Sequence, residues 1–458
     1  MRSIKIKSIS SVAIVLLIVA AVPAIGFTQP SVDAGRGLVL DFGYWNIEWI
    51  EMAFTEGMDG DAVLDRACES KGYEVTRLAD GSVYSVNGQV NLVGVKWAMY
   101  VLSGTGWARA EPKSVEAEKN RVITWARSSG EASLVPATDY SGFSYYGYAK
   151  DGMSAITGKK LSVVTLAPSV TETVASVKGI DHIIGTDLYS NYPKMISDKH
   201  ASGDIAITGG YTDPNYEWII KLAPDLVFCD GSVGQQVVMA DKLRKSGVGC
   251  VVLYDATDVS AMFGNIWITA SALGLSANAN STIRNLRSAI DTVSGIAGET
   301  GKRVFVSLSA DPSPWTSGSH TFMSDIVSSA GGKNIFDSQS SSWFMVSKEQ
   351  IYAKQPQVII IIMDGRVNSN ERYREIVDGL DPVWKETPAY RNGDVFLFTG
   401  PAGDILSRPG PRLAEAVELL SKVLNPEAFT EKDPLDAIPK YFSDDYQSYL
   451  IYQKEVFT

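Results

Sequence analysis

The chain has 458 residues, of which 45% are apolar and 20% charged, a composition that excludes a mainly disordered or fibrous protein. At roughly 150 residues per domain it holds about three folded units. Its formal net charge of −11 offers no general basic face for phosphates, so no nucleic-acid partner is expected. Three cysteines cannot build a disulfide framework, and His182, His200 and His320 are too few for a His-rich metal site.

Arg2, Lys5 and Lys7 precede an apolar run from Val12 to Phe27. This order reads as a secretory signal or N-terminal anchor over residues 1–34, and hence as an exported protein. Sixteen helical residues would span about 24 Å, short of a bilayer core of about 30 Å. No cysteine stands just after the run, so a lipoprotein anchor is not expected.

Residues 35–150 read as a small α+β module. Gly37–Phe42, Trp97–Val101 and Val122–Ala126 have strand character. Asp61–Lys71 has one apolar face (Val63, Leu64, Cys68) and a closing Gly72, which predicts a helix. Tyr84-Ser-Val-Asn-Gly is a turn signal. In outline the module is similar to the small strand-rich modules that share the tail domain of vitamin-carrier proteins. Small and polar residues at 151–160 predict a linker.

From Leu161 the rhythm becomes strand, helix, strand, which implies parallel βαβ units. Leu161–Leu166 predicts a strand. Ser169-Val-Thr-Glu172 has the spacing of a capping box, and Gly179 ends that helix. Asp213-Pro214 predicts another helix start, stopped by Pro224 before a strand at Leu226–Cys229. Cys229 and Cys250 fall on presumed neighbouring strands with a four-residue offset, about 13 Å, too far for a disulfide; free, buried thiols are expected. Glu217 and Glu349, Ile219 and Ile351, and Pro224 and Pro356 each stand 132 residues apart, which two lobes of similar build would explain. Ala277–Ile296 has a helical apolar stripe and is long enough, at about 30 Å, to join them stiffly. The boundaries expected are 161–272 for the first lobe, 273–300 for the connecting helix, 301–425 for the second lobe and 426–458 for a tail wrapping back as a helix. The fold class is therefore α/β: two Rossmann-like α/β lobes joined by a long rigid helix, preceded by a small α+β module.

Eight ordered segments carry a family resemblance. They are Leu166-Ala-Pro-Ser-Val-Thr-Glu, Gly209-Gly-Tyr-Thr-Asp-Pro-Asn, Leu222-Ala-Pro-Asp-Leu-Val, Tyr254-Asp-Ala-Thr, Lys302-Arg-Val-Phe-Val, Trp315-Thr-Ser-Gly, Gly331-Gly-Lys-Asn-Ile-Phe and Val346-Ser-Lys-Glu-Gln-Ile. Over about residues 161–425 the chain resembles the cobalamin- and ferric-siderophore-binding proteins of ABC importers, and within that group the vitamin B12-binding members. The resemblance implies a solute-binding protein that delivers its ligand to a membrane permease and a separate ATPase subunit.

It also implies a ligand between the lobes, outside the carboxyl ends of the strands. Tyr189, Tyr211 and Tyr254 in the first lobe and Trp315 and Trp343 in the second fall in such loops, as does Tyr192. Aromatic faces with few charges suit a corrinoid. A family aromatic is replaced near Cys229. A ferric siderophore or haem is the alternative ligand, for which Lys194, His320 and tyrosines are the available groups. Glu349 matches the second-lobe acid that docks the permease; its first-lobe counterpart aligns with Gln235, with Asp230 or Glu217 as possible substitutes.

Neither a catalytic residue nor a resident cofactor or metal is expected. No Walker, Ser-x-x-Lys, Gly-x-Ser-x-Gly or His-Glu-x-x-His pattern occurs. A metallocofactor or chelatase-type enzyme on a related two-lobe fold would need clustered Cys and His or an acid–base pair in the cleft. A cell-surface adhesion protein would place its function in residues 35–150. A monomer is expected, associated with the membrane through its N-terminal segment or the permease.

Overall fold

The computed structural model describes residues 37–42, 47–92, 96–103, 106–120, 122–128, 160–253, 258–319, 321–429 and 438–452. The expected export segment, most of the linker, Tyr254 and His320 lie outside the described residues. No helix among the described residues is long and apolar enough to cross a membrane.

The N-terminal module is a five-stranded mixed sheet in the order Ile47–Glu51, Gly37–Asp41, Val122–Ser128, Lys96–Ser103, Gly106–Ala110. Alternation decides its faces. Leu38, Leu40, Trp97, Met99, Ile123 and Trp125 pack against Val63, Leu64, Ala67 and Cys68 of the helix Gly60–Lys71. That helix ends on Gly72 at φ 70°, the left-handed conformation a glycine adopts most cheaply. The opposite face, with Val39, Ala98, Tyr100 and Ala126, is also buried and is continuous with the apolar core of the rest of the chain. Asn87 and Gly88, at φ 47° and 74°, make the tight turn between Val83–Val86 and Gln89–Val90.

Two five-stranded parallel sheets follow. The first runs Ala206–Ile207, Ile183–Thr186, Val163–Thr165, Leu226–Asp230, Gly249–Leu253. The second runs Gly332–Asn334, Lys302–Ser307, Val358–Met363, Val395–Thr399, Tyr441–Phe442. Strands covered on both sides need unbroken apolar runs, which Leu226-Val-Phe-Cys and Val358-Ile-Ile-Ile-Ile supply.

The spacing of 132 is structural. The helices Tyr216–Leu222 and Lys348–Lys354, their caps Asn215 and Ser347, the left-handed residues Ala223 (φ 48°) and Gln355 (φ 49°), and the strand starts Leu226 and Val358 all differ by that number. Ile219 and Ile351 are each fully buried. The connecting helix is Ser276–Ala297, about 33 Å long. Its Ile283, Leu286, Val293 and Ala297 are buried, and it lies along the helices Val259–Leu273 and Leu413–Leu424.

Four local expectations are corrected. The first helix of this region is Pro168–Ser176, with Ala167 at its N-cap and no side-chain cap bond. Pro168, its φ already suited to a helix, takes the first helical position, so Ser169 lies inside the turn and there is no capping box. The next expected start, Asp213-Pro214, falls two residues early. Pro214 bridges Gly209, and the Asn215 side chain caps the Trp218 N–H at 2.9 Å. Cys229 and Cys250 lie on neighbouring strands and are buried. Cys250 pairs with Val227 and Cys229 with Val252, an offset of two residues rather than four. Finally, the tail packs on the second lobe as a strand, Tyr441–Phe442, and a 3-10 turn, Tyr446–Tyr449, rather than as a helix. An open sheet edge beside Val395–Thr399 offers Tyr441 and Phe442 backbone partners that a helix could not use.

Candidate functional site

A cleft of about 460 Å³ opens between the lobes. The first lobe contributes Pro168 and Ser169, which follow its central strand, and Tyr189, Tyr211 and Thr212 from two loops; the second contributes Ser407, Arg408 and Pro409. The three first-lobe segments lie beyond the carboxyl ends of parallel strands, where open α/β sheets bind ligands, and the second-lobe segment closes the helix Gly400–Ser407. The volume lies within the usual range of small-molecule sites, about 300–1,000 Å³. A narrow extension from Ser169 and Pro409 reaches Asp230, Leu253 and Asn265.

Tyr189 and Tyr211 therefore share one cleft. Tyr189 is 57% exposed. Its N–H donates to Asp187 Oδ1 at 2.7 Å, and the Ser190 hydroxyl donates to Asp187 Oδ2. Burial pushes the Asp187 carboxyl above its ordinary range, against the pull of these donors and of Arg408. Tyr211 is half-buried, and its carbonyl accepts from Gln236 Nε2 at 2.8 Å.

Trp315 and Trp343 lie elsewhere, on the antiparallel ribbon Trp315–Ser317/Trp343–Met345. Trp315 pairs with Met345 and Ser317 with Trp343, so both tryptophans and Met345 occupy one ribbon face. The ribbon is tied to the carboxyl edge of the second sheet by Leu308 N–H, which donates to the Trp315 carbonyl at 3.0 Å. Trp315 and Met345 are 50% and 59% exposed, whereas the Trp343 ring packs 5.9 Å from that of Phe322. Neither tryptophan lines the 460 Å³ cleft.

Glu349 and Glu217 are exposed in the first turns of the two equivalent helices. Gln235 is exposed in the first turn of Gly234–Lys245. Asp230 is buried, and its carboxylate accepts from Ser232 N–H and Oγ at 2.9 and 2.6 Å, which removes it as a surface acid. Lys194 is paired with Asp198 outside the cleft lining. Among the described residues no group of three or more His, Cys, Asp or Glu could hold a metal ion.

A buried charged cluster, which the sequence does not announce, lies behind Arg408 of the cleft lining. Glu172, 1% exposed, projects from the first lobe into two second-lobe arginines. Arg412 holds it with Nε to Oε2 at 2.8 Å and Nη2 to Oε1 at 2.6 Å, and Arg408 Nη1 adds a bond to Oε1 at 3.0 Å. Arg408 also donates to Asn191 Oδ1 at 2.7 Å and pairs with Asp404 at 2.9 Å. Burial opposes the Arg412 charge, but the Glu172 carboxylate outweighs it and holds the guanidinium protonated well above its ordinary range. Burial raises the Asp404 carboxyl against both arginines. The available signal was Ser407-Arg-Pro-Gly-Pro-Arg412. Arg412 caps the helix Leu413–Leu424 and Arg408 stands one turn earlier; once packed against that buried helix, their charges need buried acceptors.

A Bacillus subtilis (strain 168) protein named as an uncharacterized ABC transporter substrate-binding lipoprotein is 26% identical over 59% of this chain and 81% of its own length. A vitamin B12-binding protein of Vibrio parahaemolyticus is 28% identical over 56% of this chain and 86% of its own. Among solved structures, a periplasmic heme binding protein from Pseudomonas aeruginosa superposes with a TM-score of 0.50 at 20% identity, covering 58% of this chain and 93% of that one; it shares the fold. Residues 163–402 match the family described as periplasmic binding protein, and the chain belongs to that family.

Proposed function

We propose that this chain is the extracytoplasmic solute-binding component of an ABC importer, and that it takes up cobalamin or a related corrinoid between its lobes for delivery to a permease and its ATPase. The observation that carries this reading is the chemistry of the interlobe cleft. Its lining is aromatic, proline and hydroxyl, and its arginine is already engaged by Glu172, Asp404 and Asn191. An anionic ferric chelate calls for an uncommitted cation, whereas an amide-rich macrocycle calls for flat apolar faces and a few hydrogen-bonding groups. The substrate-binding and vitamin B12-binding relatives support transport rather than catalysis.

Haem is the second reading. The exposed Tyr189 stands at the cleft, and a phenolate is a known ligand of ferric haem iron.

Calorimetric titration of the purified chain with cyanocobalamin, hemin and a ferric hydroxamate siderophore decides between them. One-to-one binding of cyanocobalamin is expected. A hemin signal alone moves the ligand to haem, a siderophore signal alone overturns the charge argument, and silence on all three overturns the corrinoid and haem readings and moves the search to another solute.

A further inference from the structure

The loop that presents Tyr189 is fixed from two sides. Its inner end belongs to the first lobe. Asp187, 1% exposed, accepts from the Tyr189 N–H and the Ser190 hydroxyl, and Ser190 continues through Thr171 at 2.7 Å to Thr165 at 2.6 Å. The outer end is held by the opposite lobe. Arg408 Nη1 reaches Asn191 Oδ1 at 2.7 Å, and Nη2 reaches the Tyr189 carbonyl at 3.4 Å. Arg412 lies over the ring of Tyr192, 4.1 Å from its centroid. The same Arg408 is anchored by Glu172 and Asp404, and its side chain is only 12% exposed. A planar guanidinium can serve these acceptors together; an ammonium cannot.

We propose that Arg408 is a positioning residue of the ligand cleft: from the second lobe it places the first-lobe loop carrying Tyr189, so that Tyr189 is held from both sides only when the lobes are engaged through Glu172. The consequence is a cleft whose affinity depends on lobe orientation. A movement that withdraws Arg408 also releases Tyr189, which gives a route from lobe opening to ligand release. Loss of pre-organisation, rather than loss of a direct contact, is the effect expected of its removal.

The test has one arm without ligand and one with it; only the second rests on the proposed function. Spin labels are placed on the full chain at Met195→Cys, an exposed site just after the loop, and at Glu371→Cys, exposed on the second lobe; the native cysteines are buried. Pulsed dipolar spectroscopy is expected to give one narrow distance distribution. R408Q should broaden or shift it, and R408K, which keeps the charge but not the fork, should fall between. R408Q is used because it leaves the buried Glu172–Arg412 pair in place. A distribution in R408Q that overlays the parent overturns the proposal, whichever ligand binds. In the second arm, R408Q should raise the cyanocobalamin dissociation constant about tenfold, but have little further effect in a Tyr189→Ala background. Additive losses in the double variant would overturn positioning in favour of direct contact. If the parent binds none of cyanocobalamin, hemin or the siderophore, the ligand reading falls and the distance arm still decides the role of Arg408.

Discussion

Glu172 and Arg412 stand 240 residues apart in the chain and meet as a bidentate ion pair between the lobes, with both side chains almost wholly buried. Burying two charges costs desolvation that only close geometry and further hydrogen bonds offset. Here Arg408 supplies a further bond to the carboxylate, and the Tyr446 hydroxyl lies 3.4 Å from Arg412 Nη1.

Glu172→Gln therefore leaves a buried guanidinium without its counter-charge, and should lower unfolding free energy by about 3–5 kcal/mol. The double variant Glu172→Met/Arg412→Met removes both charges and should recover much of that loss. Urea unfolding measures both. Equal losses in single and double variants would show that packing, not the charge imbalance, sets the cost.

Asp187 makes a pH-dependent contribution of definite sign. Burial raises its carboxyl in the folded state above the unfolded value of about 3.9. Between those values the native state binds more protons, so its stability falls as pH rises through that window. Asp404 and Glu415 are raised by burial as well and act in the same direction. Thermal midpoints recorded from about pH 4 to about pH 7 should show the parent losing stability relative to Asp187→Asn as pH rises. A constant difference across that range would remove Asp187 as the source.

The tail offers a third check. Phe442 is fully buried, stacks on Phe398 at 4.8 Å and extends the second sheet. The segment beyond the following turn is held by the buried Glu418, whose carboxylate accepts from Ile451 N–H at 2.6 Å and Tyr452 N–H at 3.1 Å. Phe442→Ala should cost about 3–5 kcal/mol. A loss below about 1 kcal/mol would mean that the tail contributes little to the second lobe.

Local signals in the sequence were enough for the central strands of the two sheets and for the connecting helix. Pro224 and Pro356 stop equivalent helices, uninterrupted apolar runs mark the covered strands, and the stripe through Ile283, Leu286 and Val293 marks the connecting helix. Glu172 shows where such reading fails. Ser-x-x-Glu spacing is a local statistic for a cap, whereas its partners Arg408 and Arg412 lie 236 and 240 residues away. The tail misled for a related reason. Its tyrosine spacing is compatible with a helix, but the open edge of a sheet is not visible from residues 438–452 alone. Tyr189 and Tyr211 could be assigned to one cleft because both follow strand ends. The offset between Trp315 and Trp343 depends on ribbon register, which the sequence does not mark.

That ribbon separates two roles. Trp315 is half-exposed, so Trp315→Ala should change stability by no more than about 0.5 kcal/mol. Trp343 packs on Phe322, and its removal should lower the thermal midpoint. If the ligand spans from the tyrosine cleft to the ribbon, each variant should weaken cyanocobalamin binding about two- to twelve-fold, equivalent to about 0.5–1.5 kcal/mol of aromatic contact. Unchanged affinity in both would confine the ligand to the cleft between Tyr189 and Arg408.

The repeat sharpens the test of the docking residues that the family resemblance implies. A helix that leads into a parallel strand begins near the strands' carboxyl edge, which places Glu217 and Glu349 on the side where the cleft opens. Gln235 begins a helix on the same edge but carries no charge. Rim charges of this kind mainly steer and orient a partner. Glu349→Lys should leave cyanocobalamin affinity intact while reducing cellular uptake of labelled ligand. Glu217→Lys should do the same if the permease reads the two lobes through equivalent acids, and Gln235→Lys should then have the smaller effect. The reverse order, with Gln235→Lys impairing uptake and Glu217→Lys silent, would place the first-lobe contact on the Gly234–Lys245 helix instead. Normal uptake in all three variants would remove these helix starts from the docking surface.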